Sequence, residues 1–167
     1  MDRVEPHITI VPPFDLADPV ENKGWWQQQI DQMGELSSFS IQLGQPAYFG
    51  RRVLFLSVHD VTGESGIAVH EQALYRLRER AQAYVRDHLK VDETRREDFH
   101  PHLTLAMQSF GTSLEDMRRL EQDANDLVEE LPNFRVTSLR IYVLENRRWQ
   151  RLIDAGFTDA KEKAQLK

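Results

Sequence analysis

Apolar residues recur along the chain with two different periods, and each period predicts one kind of secondary structure. Phe39, Ile41 and Leu43 alternate with polar residues, which predicts a half-buried strand that Gly44-Gln45-Pro46 ends. The run 53–58 is almost continuously apolar, as in a strand covered on both faces. The segments with strand-like patterns are 7–11, 39–43, 53–58, 99–106, 134–143 and 149–153.

Three longer segments, 18–33, 67–89 and 113–131, carry apolar residues at helical spacing and are predicted to be helices. Asp18 is the expected N-cap of the first helix, and Ser113 opens a capping box at the start of the third. Pairs of arginines are scattered along the chain, and most such pairs are solvated surface.

Within the segment 134–143 the alternation of apolar residues shifts from one strand face to the other near Thr137-Ser138. This shift predicts one long strand with a bulge. The element order is then β-α-β-β-α-β-α-β-β. This order favours an α+β fold over a doubly wound parallel sheet. The length of 167 residues fits one domain, 1–167, whose tail from 158 to 167 is expected to be frayed or a short helix.

One short pattern occurs twice in the chain. Pro6-His7-Ile8-Thr9-Ile10 and Pro101-His102-Leu103-Thr104-Leu105 share the order Pro, His, aliphatic, Thr, aliphatic. A single His-x-Thr is a weak signal, but two copies with the same flanking residues rarely arise by chance. Because strand side chains alternate between faces, each copy places its histidine and threonine on the same face.

Two imidazoles that face one cleft form an acid/base pair. A neutral imidazole takes a proton from water, and a protonated one gives a proton to a leaving oxygen. A threonine hydroxyl can donate to a non-bridging phosphate oxygen. If the two copies lie side by side, they suit in-line displacement at a phosphodiester, and which imidazole is the base stays open. A lone histidine or threonine on a strand, by contrast, is more often structural.

Composition excludes several classes of function. Hydrophobic residues make up 40% and charged residues 29%, which is ordinary for a soluble globular protein. The net charge of −6 argues against non-specific wrapping of long nucleic acid, but not against a nucleotide or an RNA end. The absence of cysteine excludes disulfides and a cysteine nucleophile. No apolar run is long enough to span a membrane and the N-terminal residues lack signal-peptide features, so a cytoplasmic protein is expected.

Other residues are weaker candidates. His100 and His102 form His-Pro-His, but no cysteine or carboxylate set lies at ligand spacing, so no metal is expected. A Gly-rich phosphate loop is also missing from the sequence. Phe14 and Phe110 follow the two copies and either stack on a base or pack against their own lobe. The weaker candidates for the rim of a cleft are Tyr48, Arg51 and Tyr142.

The two copies resemble the paired His-x-Thr/Ser-x signatures of the 2H phosphoesterase superfamily, which contains 2′-5′ RNA ligase-like proteins and cyclic nucleotide phosphodiesterases. The element order fits as well, so the resemblance covers roughly residues 4–155. It implies a bilobal, pseudo-twofold α+β fold with one motif in each lobe. In such a fold, antiparallel sheets line a central cleft and the helices lie outside.

The resemblance also implies roles. His7 and His102 would be the catalytic acid/base pair. Thr9 and Thr104 would bind the phosphate, without a cofactor. The implied reaction is metal-independent hydrolysis of 2′,3′-cyclic phosphate, or related 2′-linked, esters of RNA ends or small nucleotides. The alternatives are a 2′-5′ RNA ligase-type activity and a non-catalytic module that binds RNA ends or nucleotides.

The sequence departs from the superfamily at one place. Members usually have a strand and a helix before the first motif, whereas six residues precede His7 here. Either the chain starts late relative to the family, or the C-terminal tail or a partner chain fills the vacant sheet edge. An open sheet edge invites pairing, so the sequence leaves open a homodimer through this edge.

Overall fold

The computed structural model describes residues 5–15, 23–32, 37–61, 72–90, 99–108 and 112–157. Their helices and strands in chain order are α1 (Lys23–Gln32), β1 (Phe39–Phe49), β2 (Val53–Asp60), α2 (Ala73–His88), β3 (His102–Met107), α3 (Leu114–Val128), β4 (Phe134–Val136), β5 (Ser138–Glu145) and β6 (Arg148–Gly156). The fold is α+β with antiparallel sheets, which confirms the predicted class. The bilobal, pseudo-twofold arrangement stays a prediction.

The main sheet contains four antiparallel strands in the order β3-β2-β1-β4, and β5 and β6 form a separate two-stranded hairpin. Leu43 of β1 lies opposite Val58 of β2, and both belong to the buried core. Ser57 of β2 lies opposite His102 of β3. Because neighbouring residues of a strand point to opposite faces, Ser57 and His102 share the face that is turned away from this core.

The predicted strand over 7–11 does not form a regular ladder. Within residues 5–15 the backbone makes one isolated antiparallel bridge, between Ile8 and Leu103 of β3. The prolines that flank the segment explain why, since Pro6, Pro12 and Pro13 have no N–H to donate to a neighbouring strand. The first motif therefore lies beside β3 without becoming a full strand of the sheet.

Strand β1 continues through Gly44-Gln45-Pro46, so the predicted end of the strand at that point is wrong. The register with β2 shifts between Leu43 and Pro46, as it does at a β-bulge, which accommodates a proline without a lost ladder bond. A side chain at Gly44 would be crowded here, because an added Cβ would lie 2.5 Å from Ser57 Oγ and 2.7 Å from His59 Nε2.

The predicted long strand over 134–143 is also wrong, because the chain changes sheets at Thr137. Val136 of β4 pairs with Phe39 of β1, whereas Ser138 of β5 pairs with Gly156 of β6. A change of apolar phase is compatible with a bulge or with a change of sheet, and the sequence pattern alone does not distinguish the two. The β5–β6 hairpin turns at Asn146 and Arg147, whose positive φ angles of 49° and 64° match a type I′ turn.

The start of α3 is confirmed in detail. The Asp116 N–H donates to Ser113 Oγ at 3.0 Å, and the Ser113 N–H donates back to Asp116 Oδ2 at 3.0 Å, which completes the predicted capping box. Helix α3 ends at Val128, and α2 begins at Ala73 among the described residues. The predicted helix start at Asp18 lies outside the described residues, as do the segments 62–71, 91–98 and 158–167.

The main core lies between the sheet and α2. Its members are Ile10, Ile41, Leu43, Leu56, Val58, Leu74, Leu77, Ala81 and Val128. Ile8 and Leu103, the two residues of the bridge, pack against this core. The hydrophobic side chains that follow each motif histidine thus anchor both motifs on one core. No helix among the described residues is long and apolar enough to cross a bilayer.

Candidate active site

The Ile8–Leu103 bridge brings the two motifs together. Continuing its antiparallel register by one residue in each direction places His7 across from Thr104 and Thr9 across from His102. Because Ile8 and Leu103 face the core, the four polar residues of the motifs lie on the opposite side. His7 and Thr104 are exposed, whereas Thr9 and His102 are half-buried. The arrangement is locally twofold about the bridge.

Both motif histidines are oriented by the same hydrogen bond. His7 Nδ1 lies 2.8 Å from the carbonyl oxygen of Glu5, and His102 Nδ1 lies 2.7 Å from the carbonyl oxygen of His100. A carbonyl only accepts, so each Nδ1 carries its hydrogen and each neutral ring keeps the lone pair on Nε2. In both copies the acceptor belongs to the residue before the proline. The duplicated proline therefore has a structural role, since its restricted φ helps to present that carbonyl to the ring.

Two phenylalanines enclose the second histidine. The ring of Phe49 stands edge-on to His102 with centroids 4.8 Å apart, and the ring of Phe55 lies 5.4 Å from His102. The two phenylalanines stack on each other at 4.1 Å. Phe55 is buried, but Phe49 stays 36% exposed and can receive a flat ligand group. Sequence analysis missed both residues, because their position depends on the register of β1, β2 and β3.

A cavity of about 300 Å³ opens beside the second motif. Its lining includes Phe49, Ser57, His59, Tyr75 and His100. Within it, His59 Nε2 lies 3.2 Å from Ser57 Oγ, which in turn donates to the carbonyl oxygen of Gln45 at 3.3 Å. This volume is at the lower end of small-molecule sites, so it suits a group the size of one nucleoside better than a folded RNA.

The start of α2 is fixed at the edge of this cavity by Asp60. Its Oδ2 accepts the Leu74 N–H at 3.1 Å, while its Oδ1 is buried and has no hydrogen-bond partner within the described part of the chain. Burial raises the pKa of the Asp60 carboxyl. Burial likewise raises the pKa of the Tyr75 hydroxyl, which lines the cavity and therefore stays a hydrogen-bond donor.

The other candidates from the sequence have different surroundings. Phe14 is half-buried, and Phe110 lies outside the described residues. The Tyr48 hydroxyl donates to Glu121 of α3 at 2.9 Å, and Arg51 is exposed beyond the end of β1. Tyr142 is half-buried in β5. Of these candidates, Tyr48 also lines the cavity beside the second motif.

Arg140 on β5 is a third residue that the sequence did not single out. Its guanidinium contacts the Glu5 carboxylate and lies 3.0 Å from Asp154, and it also bonds to Tyr142. Contacts with Tyr142 and both carboxylates raise the pKa of Arg140 further above its already high value. Because the Glu5 carbonyl orients His7, Arg140 ties the β5–β6 hairpin to the beginning of the first motif.

No group of three or more His, Cys, Asp or Glu side chains within the described ranges is arranged to hold a metal ion. His100 is exposed, and its ring centroid lies 6.4 Å from that of Phe49. Both rings of the His-Pro-His pattern therefore lie beside Phe49, and His102 is the closer of the two. The His102 ring is also bonded to the His100 backbone.

Comparison with known families agrees with the geometry. The model of the 2′-5′ RNA ligase superfamily matches residues 1–148, a span that contains both motifs and all of the main sheet. The chain belongs to the 2′-5′ RNA ligase superfamily. This assignment confirms the resemblance to 2H phosphoesterases. The superfamily is one of phosphoesterases and ligases that act on RNA or nucleotides. No curated protein matches the chain.

Proposed function

We propose that this member of the 2′-5′ RNA ligase superfamily is a metal-independent phosphodiesterase that hydrolyses 2′,3′-cyclic phosphate, or related 2′-linked, esters of RNA ends or small nucleotides. The observation that carries the proposal is the pairing of the two motifs across the Ile8–Leu103 bridge. The matching hydrogen bonds of His7 and His102 add to it, since both rings are held with Nε2 available for proton transfer.

In the proposed reaction, Nε2 of one neutral imidazole takes a proton from water as the water oxygen bonds to phosphorus. The bond between phosphorus and one ring oxygen breaks, and the second imidazole, protonated, gives that oxygen its proton. One water and one cyclic diester become a phosphomonoester with a free neighbouring hydroxyl. In the reverse direction His7 and His102 exchange roles, as microscopic reversibility requires, and the local twofold geometry supports either assignment.

The two threonine hydroxyls donate to the non-bridging phosphate oxygens in this proposal. Charge builds up on these oxygens as the fifth bond to phosphorus forms, so donors that are already in place stabilise the transition state. The register supports this role, because Thr9 lies across from His102 and Thr104 lies across from His7. Each threonine would then bind the phosphate beside the histidine of the other motif.

Replacing Thr104 with valine is expected to lower kcat/KM for a 2′,3′-cyclic nucleotide by about 100-fold, as for loss of one donor to a developing oxyanion. Valine keeps the shape and the strand propensity of threonine. Thr104→Ser is the matched control, because serine keeps the hydroxyl, and it should stay within about fivefold of the original kcat/KM. Equal rates for Thr104→Val and the unaltered enzyme would remove Thr104 from the proposed phosphate site.

Replacing Phe49 with leucine is expected to raise KM for a cyclic nucleotide by about tenfold, since a base stacked on an aromatic ring contributes about 1–3 kcal/mol. Phe134→Leu is the control, because Phe134 on β4 is 39% exposed and Phe49 is 36% exposed. Initial rates at several substrate concentrations separate KM from kcat. A KM unchanged by Phe49→Leu would show that the base binds away from His102.

The proposed function is tested by phosphorus NMR of a 2′,3′-cyclic nucleotide incubated with the protein and EDTA. A new phosphomonoester signal is the expected result. Unchanged substrate with folded protein, but tight binding of the nucleotide, would contradict hydrolysis and favour a non-catalytic nucleotide-binding module.

The superfamily itself favours a second candidate, a 2′-5′ RNA ligase-type activity. In this reaction the oxygen of an RNA 5′-hydroxyl replaces the attacking water, and the 2′-oxygen stays on phosphorus. A cyclic phosphate-ended RNA incubated with a 5′-hydroxyl RNA distinguishes the two activities. Joined product that resists an enzyme specific for 3′-5′ links would indicate the ligase.

A further inference from the structure

The first motif is weakly attached by its backbone. The described segment 5–15 makes one bridge to β3, whereas β3 itself pairs with β2 over residues 102–107. One bridge does not fix the distance between two side chains that transfer protons to the same substrate. Some other contact has to set the position of His7 relative to His102.

Arg78 of α2 contacts the chain on both sides of the site. Its Nη1 donates to the carbonyl oxygen of Ile10 at 3.1 Å, three residues after His7. The same guanidinium lies over the ring of Phe99, with 4.6 Å between Cζ and the ring centroid, three residues before His102. One side chain thus links the end of the first motif to the beginning of the second.

The helix that carries Arg78 is firmly packed against the rest of the fold. Its neighbours Leu74, Leu77 and Ala81 on α2 are buried in the main core. Tyr75, one turn earlier on the helix, donates its hydroxyl to the carbonyl oxygen of Phe99 at 3.1 Å and stands edge-on to the Phe99 ring at 5.1 Å. Helix α2 therefore holds the segment before His102 by two residues and the segment after His7 by one.

Only arginine suits both contacts at once. A guanidinium is planar, so it stacks on an aromatic ring with one face while the N–H groups at its edge donate in the plane. Lysine has a point charge without a flat face, and a neutral side chain has neither the charge nor the fork of donors. Ile10 is buried, so loss of the bond would also leave its carbonyl oxygen short of a donor.

We propose that Arg78 is a positioning residue that sets the separation of His7 and His102 by binding Ile10 and stacking on Phe99. The kinetic part of this inference rests on the proposed hydrolysis, whereas the structural part does not. Arg78 acts through the backbone of the motifs and touches no substrate. A displacement of about 1 Å between reacting groups can lower a rate about 100-fold, so this contact matters to turnover even though it lies behind the site.

The test compares Arg78→Met and Arg78→Lys with Arg86→Met. Arg86 is on the same helix, its side chain is 63% exposed, and it pairs with its neighbour Asp87. Arg78→Met is expected to lower kcat for a 2′,3′-cyclic nucleotide by about 10- to 100-fold and to leave KM within about threefold. Arg78→Lys should lie between it and the unaltered protein, and Arg86→Met should match the unaltered protein.

Amide hydrogen exchange supplies a readout that needs no turnover. In Arg78→Met, exchange at residues 7–9 is expected to accelerate at least about tenfold while exchange in the β1–β2 pairing is unchanged. Unchanged exchange at 7–9, or a kcat within twofold of the unaltered enzyme, would overturn the inference. So would equal acceleration across β1 and β2 in both Arg78 variants, because Arg78 would then stabilise the whole fold. If the unaltered protein hydrolyses no cyclic phosphate, the proposed function fails and the exchange result still decides the role of Arg78.

Discussion

Replacing His102 with alanine is expected to lower turnover of a 2′,3′-cyclic nucleotide by at least about 100-fold, the usual loss when a general acid or base is removed. His7→Ala should cause a loss of the same size, because the two histidines have equivalent surroundings at their Nδ1 atoms. The double variant should be little worse than either single one, since groups that act as a unit give non-additive effects. Steady-state rates over a wide range of enzyme concentration measure all three.

The control for this series is His88→Ala. His88 is exposed at the end of α2 and stacks on Tyr84 at 4.4 Å. It should keep the full rate. Circular dichroism and the thermal midpoint of each variant establish that the fold is intact. Full turnover in either motif variant, with the fold intact, would refute the proposed two-histidine mechanism.

Replacing Leu54 with alanine is expected to lower the free energy of unfolding by about 2–5 kcal/mol, the range for a buried leucine whose surroundings collapse only in part. Leu54 is the second residue of β2, in the central part of the main sheet, and its side chain is 0% exposed. The loss is a large fraction of the about 5–15 kcal/mol that holds an ordinary domain folded. Urea unfolding followed by tryptophan fluorescence measures it.

The matched control is Leu127→Ala on α3, where the leucine is 57% exposed. This change should cost less than about 0.5 kcal/mol, as surface substitutions usually do. At low urea concentration, folded Leu54→Ala should keep the KM of the unaltered enzyme, because Leu54 faces away from the His102 side of the sheet. Equal unfolding midpoints for the two variants would show that Leu54 is not part of a close-packed core.

The features that could be predicted from the sequence are those formed by residues close to one another in the chain. The duplicated motif, the apolar run of β2 and the capping box at Ser113 all involve residues within a few positions of one another, and the structure agrees with the last two. The phosphate-binding and acid/base roles of the motif residues stay predictions. So do the cytoplasmic location and the homodimer through the N-terminal sheet edge.

The features that the sequence did not reveal depend on contacts between distant segments. Phe49 reaches His102 because β1 and β3 lie on either side of β2, an order that periodicity does not specify. The sequence does not single out Arg78, because its role follows from the location of Ile10 in space. The alternation of residues 7–11 predicts a strand, but the prolines around the first motif lack the N–H groups that a regular strand needs for pairing.

The aromatic pair has a consequence for regiochemistry. A pair of equivalent imidazoles related by a twofold axis has no preference between the two ester oxygens of a cyclic phosphate. Phe49 and Phe55 break this equivalence, because their rings contact His102, whereas His7 has no ring contact among the described residues. In the proposed reaction, a nucleoside stacked on Phe49 would enter in one sense, so that one imidazole would face the 2′-oxygen and the other the 3′-oxygen. The chemistry can be symmetric while its product is a single regioisomer.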